Sequence, residues 1–391
     1  MKKNLMFALG LVALFALAGC SGNSPEEDST QLWPAGDDNG KYGYIDKSGQ
    51  MIIEPRYEAA ARFSSGYALV KTTSGNGLFI TKKGVEKQSD AFTEVKGSAF
   101  YYNYATVRSS GKCGLLNTKL KYAVSPAYAD MGNMTADGLV AATSNGDKWG
   151  YINRSGEQVI PEKYVAAYDF VDGLAIVVNE KGKFGCIDLA GNERIVANYD
   201  YLQAIGNGCI VFLSDNKYGL LDANGTIKVP AEYDIIASAQ RWREGWLPAC
   251  KNGQWGYIDQ NGKVKIDFRY DDASMFSEGL AFVSTDGRFQ CIDTKGAIKF
   301  ILKEGERPRS ITSVAIMAMF FRGYHNGLIG TEVYGLADST CNYRDQTGAI
   351  IYSWTRPVLG LLEDVLQEVS LSPEKILSEP HNLFDPEAVA F

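Results

Sequence analysis

The feature that most constrains this chain is that it repeats itself. "KYGYIDKSGQMIIEPRY" at 41–57 returns as "KWGYINRSGEQVIPEKY" at 148–164 and as "QWGYIDQNGKVKIDFRY" at 254–270. Aligned on the glycine of that phrase, the copies fall at Gly43, Gly77, Gly114, Gly150, Gly185, Gly219 and Gly256, with Gln290 in an eighth, degenerate slot. The steps between them run from 34 to 37 residues. A fixed period of this size marks a stack of small units, none of which buries its own apolar face without a neighbour.

Each copy divides into pieces with a physical meaning. A short apolar strand ("YGYID", "WGYIN", "FGCID", "YGLLD") leads into a turn of the form Asp/Asn-x-x-Gly, as at Asp46 to Gly49, Asn153 to Gly156 and Asp222 to Gly225. The Asx side chain bonds the backbone two residues on, and glycine supplies the positive φ the turn requires. A second strand follows and often stops at a proline (Pro55, Pro161, Pro230), where ladder donors run out. A tyrosine comes next (Tyr57, Tyr128, Tyr164, Tyr199, Tyr233, Tyr270), and a phrase such as "FVDGLAIVV" at 170–178 adds a further strand. Three or four strands fit each period, and no helix-period segment precedes about residue 305. Each buried aromatic hides about 150–250 Å², so the recurring Tyr, Trp and Phe positions make stacking the dominant stabilising term.

Taken together, this phrase resembles the WG-repeat (KWG-repeat) family of bacterial proteins. Copies from Lys41, Lys148, Lys183, Lys217 and Gln254 follow the pattern. Those at Asn76 and Lys112 depart from it, the first lacking the leading aromatic and the second the turn glycine. The resemblance spans 41–301 and implies an all-β repeat array without catalytic residues. The variable copy number it also implies favours an open twisted β-solenoid of three-to-four-stranded antiparallel units. A seven-bladed β-propeller, with 288–301 completing a blade, is the alternative.

The ends of the chain read differently. Lys2 and Lys3 precede an apolar run from Leu5 to Ala18, too short to span a bilayer, and then "LAGC" ending at Cys20. That stretch resembles a lipobox, so 1–19 is expected to be a signal peptide and Cys20 the site of lipid attachment. Three acyl chains there would anchor the chain to a membrane without crossing it. The small, acidic stretch that follows makes 20–40 a flexible tether. Ser21 resembles the outer-membrane sorting choice of bacterial lipoproteins, and Glu26, Glu27 and Asp28 resemble an acidic surface-export signal. The expected location is therefore the cell envelope, at the outer membrane. At the other end, 302–391 reads as a small α/β cap covering the end of the array. Its helices fall near 357–378, where Leu359, Leu362, Leu366 and Val369 keep helical spacing.

Composition excludes some functions. The formal net charge is −7, more negative once Lys2 and Lys3 are removed, which leaves no footprint for nucleic acid. Six cysteines remain besides Cys20, and Cys186 and Cys291 occupy slots where other copies carry Tyr or Leu. They read as small buried hydrophobes rather than a disulfide framework. His325 and His381 sit in no metal spacing, and no nucleophile elbow or phosphate loop occurs, so no catalytic residue, metal or cofactor is expected.

Binding residues are sought where copies break the pattern. Copy six inserts Arg241, Trp242, Arg243 and Trp246, a basic-aromatic patch on an acidic chain, and copy two crowds Tyr101, Tyr102 and Tyr104 together. Aromatic planes suit sugar rings, and arginine suits carboxylates or phosphates. The expected function is a non-catalytic, lipid-anchored envelope protein presenting its repeat surface to a protein or glycan. A carbohydrate-binding accessory lipoprotein is the first alternative; a hydrolase with its site near His325 is the second.

Overall fold

The computed structural model describes residues 31–74, 77–87, 94–95, 100–237, 244–308, 327–334 and 338–357. Its strands form nine antiparallel sheets, eight of four strands and one of three. They are arranged as the blades of a nine-bladed β-propeller. Blade one is Trp33–Gly36, Tyr42–Ile45 and Met51–Tyr57; blade four is Asp130–Met131, Leu139–Thr143, Trp149–Asn153 and Gln158–Tyr164. Blade nine is Glu306–Pro308, Leu328–Tyr334, Asp338–Asp345 and Ile350–Pro357.

Of the two arrangements that the repeats leave open, the closed one is realised, with nine blades instead of seven, and the open solenoid is set aside. Closure is a packing event between the ends of the array. Trp33, Ala35 and Ile45 of blade one share a core with Leu328, Cys341, Tyr343 and Trp354 of blade nine. Two further expectations change with it. Trp33–Gly36, inside the expected tether, is a buried strand because Trp33 and Ala35 face that shared core. The described part of the expected α/β cap is a blade built of strands alone. The helices expected near 357–378 lie outside the described residues.

Repeat and blade are out of phase. The phrase from Lys148 supplies the third and fourth strands of blade four, and its tail, Ala166–Ala167 and Leu174–Val178, the first two strands of blade five. Every repeat therefore stitches two blades together covalently. The fourth strand carries an alternating pattern, with Ile160 and Tyr164 buried while Gln158 and Val159 are exposed, which places it at the rim. The first strand is short and mostly buried, as in Ala59–Ala60, and lies toward the axis.

The glycine after the aromatic has a steric cause. In blades one and three to seven the fourth strand shifts register directly across from it, as between Trp255 and Tyr257 in blade seven. There a Cβ on Gly256 would lie 2.7 Å from Ile266 O and 2.9 Å from Phe268 N. Where the shift is absent so is the glycine. Gln290 faces Ile301 in blade eight, and Asn342 faces Ser353 within the regular ladder of blade nine. Blade two corrects the alignment above. Its turn runs from Thr81 to Gly84, so Leu78 occupies the glycine's place and Gly77 the aromatic's.

The Asx turns form as the sequence implies. Asp222 Oδ1 accepts the N–H of Asn224 at 2.8 Å and of Thr226 at 2.9 Å, and Gly225 sits at φ 84°. In blade three, Leu120 takes the turn-glycine position at φ 56°.

These geometries separate two kinds of glycine. Gly256→Ala should cost about 3 kcal/mol or more, because the bulged fourth strand has to move. Gly173→Ala, at φ 80° with nothing within 4 Å of the new methyl, should cost about 1–2 kcal/mol from backbone strain alone. Denaturant midpoints of the two variants check the difference.

Candidate functional site

The residues that recur from copy to copy are taken up by the joints between blades. Tyr44, Tyr151 and Tyr257 are fully buried and reach across to the next blade, where each hydroxyl donates to a backbone carbonyl: Ala61 O at 2.8 Å, Tyr168 O at 2.7 Å and Ser274 O at 2.8 Å. Each ring also meets a phenylalanine of that next blade, at 4.8 Å for Phe63, 4.8 Å for Phe170 and 4.7 Å for Phe276 between centroids. Burial pushes all three phenols well above their ordinary pKa, so the hydroxyls stay protonated as donors.

A second joint uses the turn glycines. A Cβ on Gly191, Gly225 or Gly262 would meet the aliphatic side chain of the preceding blade's fourth strand (Ile160, Ile195 and Val229) at 3.3, 3.4 and 3.1 Å. The turn thus presses backbone against its neighbour.

A third joint lies at the turns between first and second strands. Asp137 accepts the N–H of Gly173 at 3.2 Å, Asp172 that of Asn207 at 2.8 Å, Glu244 that of Gly279 at 2.8 Å and Glu278 that of Gly327 at 2.8 Å. Each acceptor belongs to one blade and each donor to the next, so these carboxylates link blades four to six and blades seven to nine. Sequence reasoning missed them. The signal was the acidic residue before glycine in "ADG", "VDG", "REG" and "SEG".

Blade nine carries a different device. Arg344 stands where other copies carry an isoleucine or a leucine, and its Nε and Nη2 grip the buried Glu306 carboxylate at 2.8 and 2.7 Å. Thr331 and Asn342 donate to the same carboxylate. Burial alone would raise the Glu306 pKa, but the Arg344 and Thr331 hydrogen bonds hold it below the ordinary value. This polar cluster fixes the blade's register where the glycine device is missing.

The binding candidates are placed unevenly. Tyr101 is buried at 4% exposure in the core of blades three and four, and Tyr102 and Tyr104 pack half-buried against the same core. These three tyrosines come together as packing around the first turn of blade three. Trp246 is half-buried, with Phe276 of blade eight 5.8 Å away and Lys265 Nζ 5.4 Å from its ring. Arg241, Trp242 and Arg243 lie outside the described residues, as do Cys20, His325 and His381. Among the described residues, no three His, Cys, Asp or Glu side chains gather as a metal ion would need.

The six cysteines from Cys113 to Cys341 are all free and buried. Burial pushes the Cys186 thiol up to about 12. In native protein these six thiols should resist a disulfide reagent, and all six should react once denaturant is added; rapid native labelling of any of them would contradict their placement.

One buried carboxylate stands apart. Asp169 is 7% exposed, its Oδ1 lies where a Cβ on Gly132 of the preceding blade would come within 2.9 Å, and that oxygen has no hydrogen-bond partner. Burial raises its pKa from 3.8 to about 7. A carboxyl with a raised folded-state pKa contributes stability that is present below about pH 4 and lost as the pH rises towards 7. Asp169→Asn should therefore match the parent near pH 4 and exceed it in stability at pH 8, as measured by denaturant unfolding at both values.

No curated protein matches the chain in sequence. Among solved structures, apo AztD from Citrobacter koseri is 13% identical over 83% of this chain and 94% of that one, with a TM-score of 0.38. An uncharacterized protein from Listeria monocytogenes is 12% identical over 68% and 95%, with a TM-score of 0.36. Both likenesses are too loose to bear on function. The family model of the WG containing repeat matches residues 42–74, 149–183, 184–218, 218–255 and 255–289, passing over the two departing copies between the first and second matches. These five segments of the chain are WG repeats.

Proposed function

We propose that this protein is a non-catalytic, lipid-anchored scaffold of the cell envelope, tethered through Cys20, whose ring of blades presents a binding surface to an envelope protein or a glycan. What carries the reading is that the recurring residues are committed to architecture. The aromatics, the two kinds of glycine, the turn Asp and Asn side chains and the axial carboxylates all serve turns or joints between blades. Specificity then falls to residues that differ from copy to copy. The insertion in copy six is the strongest of these, because Trp246 is braced by Phe276 and Lys265 at its foot. Between Ile235–Ile236 and Leu247–Lys251 the sequence holds Arg241, Trp242 and Arg243, two arginines flanking a tryptophan that no other copy has. Such groups suit an acidic sugar or an acidic protein segment.

Two measurements test this. Palmitate labelling in cells should mark the parent protein and not Cys20→Ala, which should leave the membrane fraction; labelling that survives the substitution refutes the anchor. Binding of the lipid-free chain should be screened on an array of neutral and acidic glycans. Trp242→Ala should then weaken any hit about tenfold or more while leaving the melting temperature unchanged. A hit indifferent to Trp242 and to Arg243→Ala removes copy six as the binding surface.

A further inference from the structure

The loops of the ring divide between two ends. Turns from first to second strand and from third to fourth open at one of them, the turn end, where Arg154 of one turn lies beside Gly138 of the other. Crossovers to the next blade and links from second to third strand open at the opposite, crossover end, where Lys41 pairs with Glu58 and Lys183 with Asp200.

The two ends are built of different side chains. At the crossover end lysines are held in ion pairs, Lys148 with Glu180, Lys217 with Asp234 and Lys251 with Glu232. Asp147, Asp215, Asp271 and Asp286 stand exposed in the same set of loops, so negative charge gathers there. At the turn end the pattern reverses. Its carboxylates accept backbone N–H groups, Asp46, Asp222 and Asp293 within their own turns and Asp137, Asp172 and Glu278 across to the next blade. Its cations are exposed in or beside the turns between third and fourth strands: Lys47, Lys83, Lys119, Arg154, Lys263 and Lys295, from six of the nine blades.

An apolar rim accompanies these cations. Among the described residues, eight of the eleven exposed large aliphatic side chains lie within three positions of a turn glycine at this end, one in every blade but the third. Ile52, Val159, Ile227 and Ile298 belong to it, and Ile227 is 60% exposed. Such placement makes a girdle around one end of the ring rather than a scatter of single residues.

The chain also enters the ring at this end. Trp33 pairs with Ile45, the residue just before the Asp46 turn. Cys20 lies thirteen positions before Trp33, a distance of at most about 45 Å even at full extension. A lipid on Cys20 therefore holds the turn end, with its cations and aliphatic rim, nearer the bilayer than the acidic crossover end. Lysine and arginine are drawn to anionic headgroups, and aliphatic side chains settle at the boundary with the acyl chains.

We propose that the turn end of the ring is a membrane-facing surface, seated on the anionic headgroup layer of the bilayer that holds Cys20, an inference that rests on the anchor proposed above. The crossover end then faces away from the bilayer. Trp246, directly before Leu247–Lys251, stands at the turn end as well, so an acidic ligand of copy six is met at the bilayer surface.

The test supplies the tether independently of Cys20. Residues 21–391 with an N-terminal hexahistidine are held on vesicles of phosphatidylglycerol and phosphatidylethanolamine that carry a nickel-chelating lipid. The environment-sensitive fluorophore NBD, attached at Ile227→Cys or Ile298→Cys, should brighten about twofold or more, and at Asp215→Cys it should stay unchanged. The response at the turn end should fall by at least about half on phosphatidylcholine vesicles and in Lys47→Glu/Lys263→Glu/Lys295→Glu, whose melting temperature should match the parent's. Turn-end labels that stay dim on the anionic vesicles, a stronger response at Asp215→Cys, or a response indifferent to lipid charge and to the three substitutions would each overturn the proposal. Failure of the anchor itself would show in palmitate labelling of Cys20 and leave this readout unaltered.

Discussion

The structure depends on the contact a blade makes with the next through the side chain two places before its Asx turn, a buried tyrosine in blades one, four, seven and nine. Tyr151 shows it most fully. Its ring lies against Phe170, its hydroxyl bonds Tyr168 O, and both partners belong to blade five while the tyrosine belongs to blade four. A four-stranded sheet of some thirty-five residues is too small to bury its own apolar face. Here it lends that face to a neighbour, and the hydroxyl satisfies a carbonyl left over at the end of a short inner strand. Nine blades joined in sequence leave no free end only if the ninth returns to the first. Trp33, Tyr343 and Trp354 serve that return.

From this contact the repeated phrase acquires a mechanical meaning. The aromatic and the tyrosine flank a glycine because the fourth strand bulges over it, and a methyl on Gly256 would collide with Ile266 O. The turn glycine does double duty, allowing positive φ and letting the turn press against the aliphatic residue of the blade before. Blade nine does without the aromatic-glycine pair and the register shift across from it, and it holds its register with Glu306 and Arg344 instead. What stays free to vary is the set of loops at the two ends of the ring, the part of a fold that tolerates sequence change most readily.

Much of this was legible in the sequence because it is local. A strand, an Asx turn and a second strand can be read from some fifteen residues, and the Asp222 turn forms as its residues imply. The number and closure of the blades were not legible, because they rest on contacts such as Tyr343 to Pro34, made between residues 309 positions apart. Blade nine did carry one local sign, the Asp345 to Gly348 turn, but a longer interval after Gln290 hid it from a search by period. Among candidate site residues, Tyr101 was conspicuous for its neighbours in sequence, yet its position at the first turn of a blade directs it into the core. Composition alone cannot tell an aromatic that glues from one that binds.

Equilibrium unfolding of Tyr151→Ala tests the central contact most directly. The account requires a loss of about 3–5 kcal/mol, in a single transition shared by the whole ring, because blades four and five cannot stand without their joint. A loss under about 1 kcal/mol, or a separate early transition that leaves the other blades folded, would contradict it.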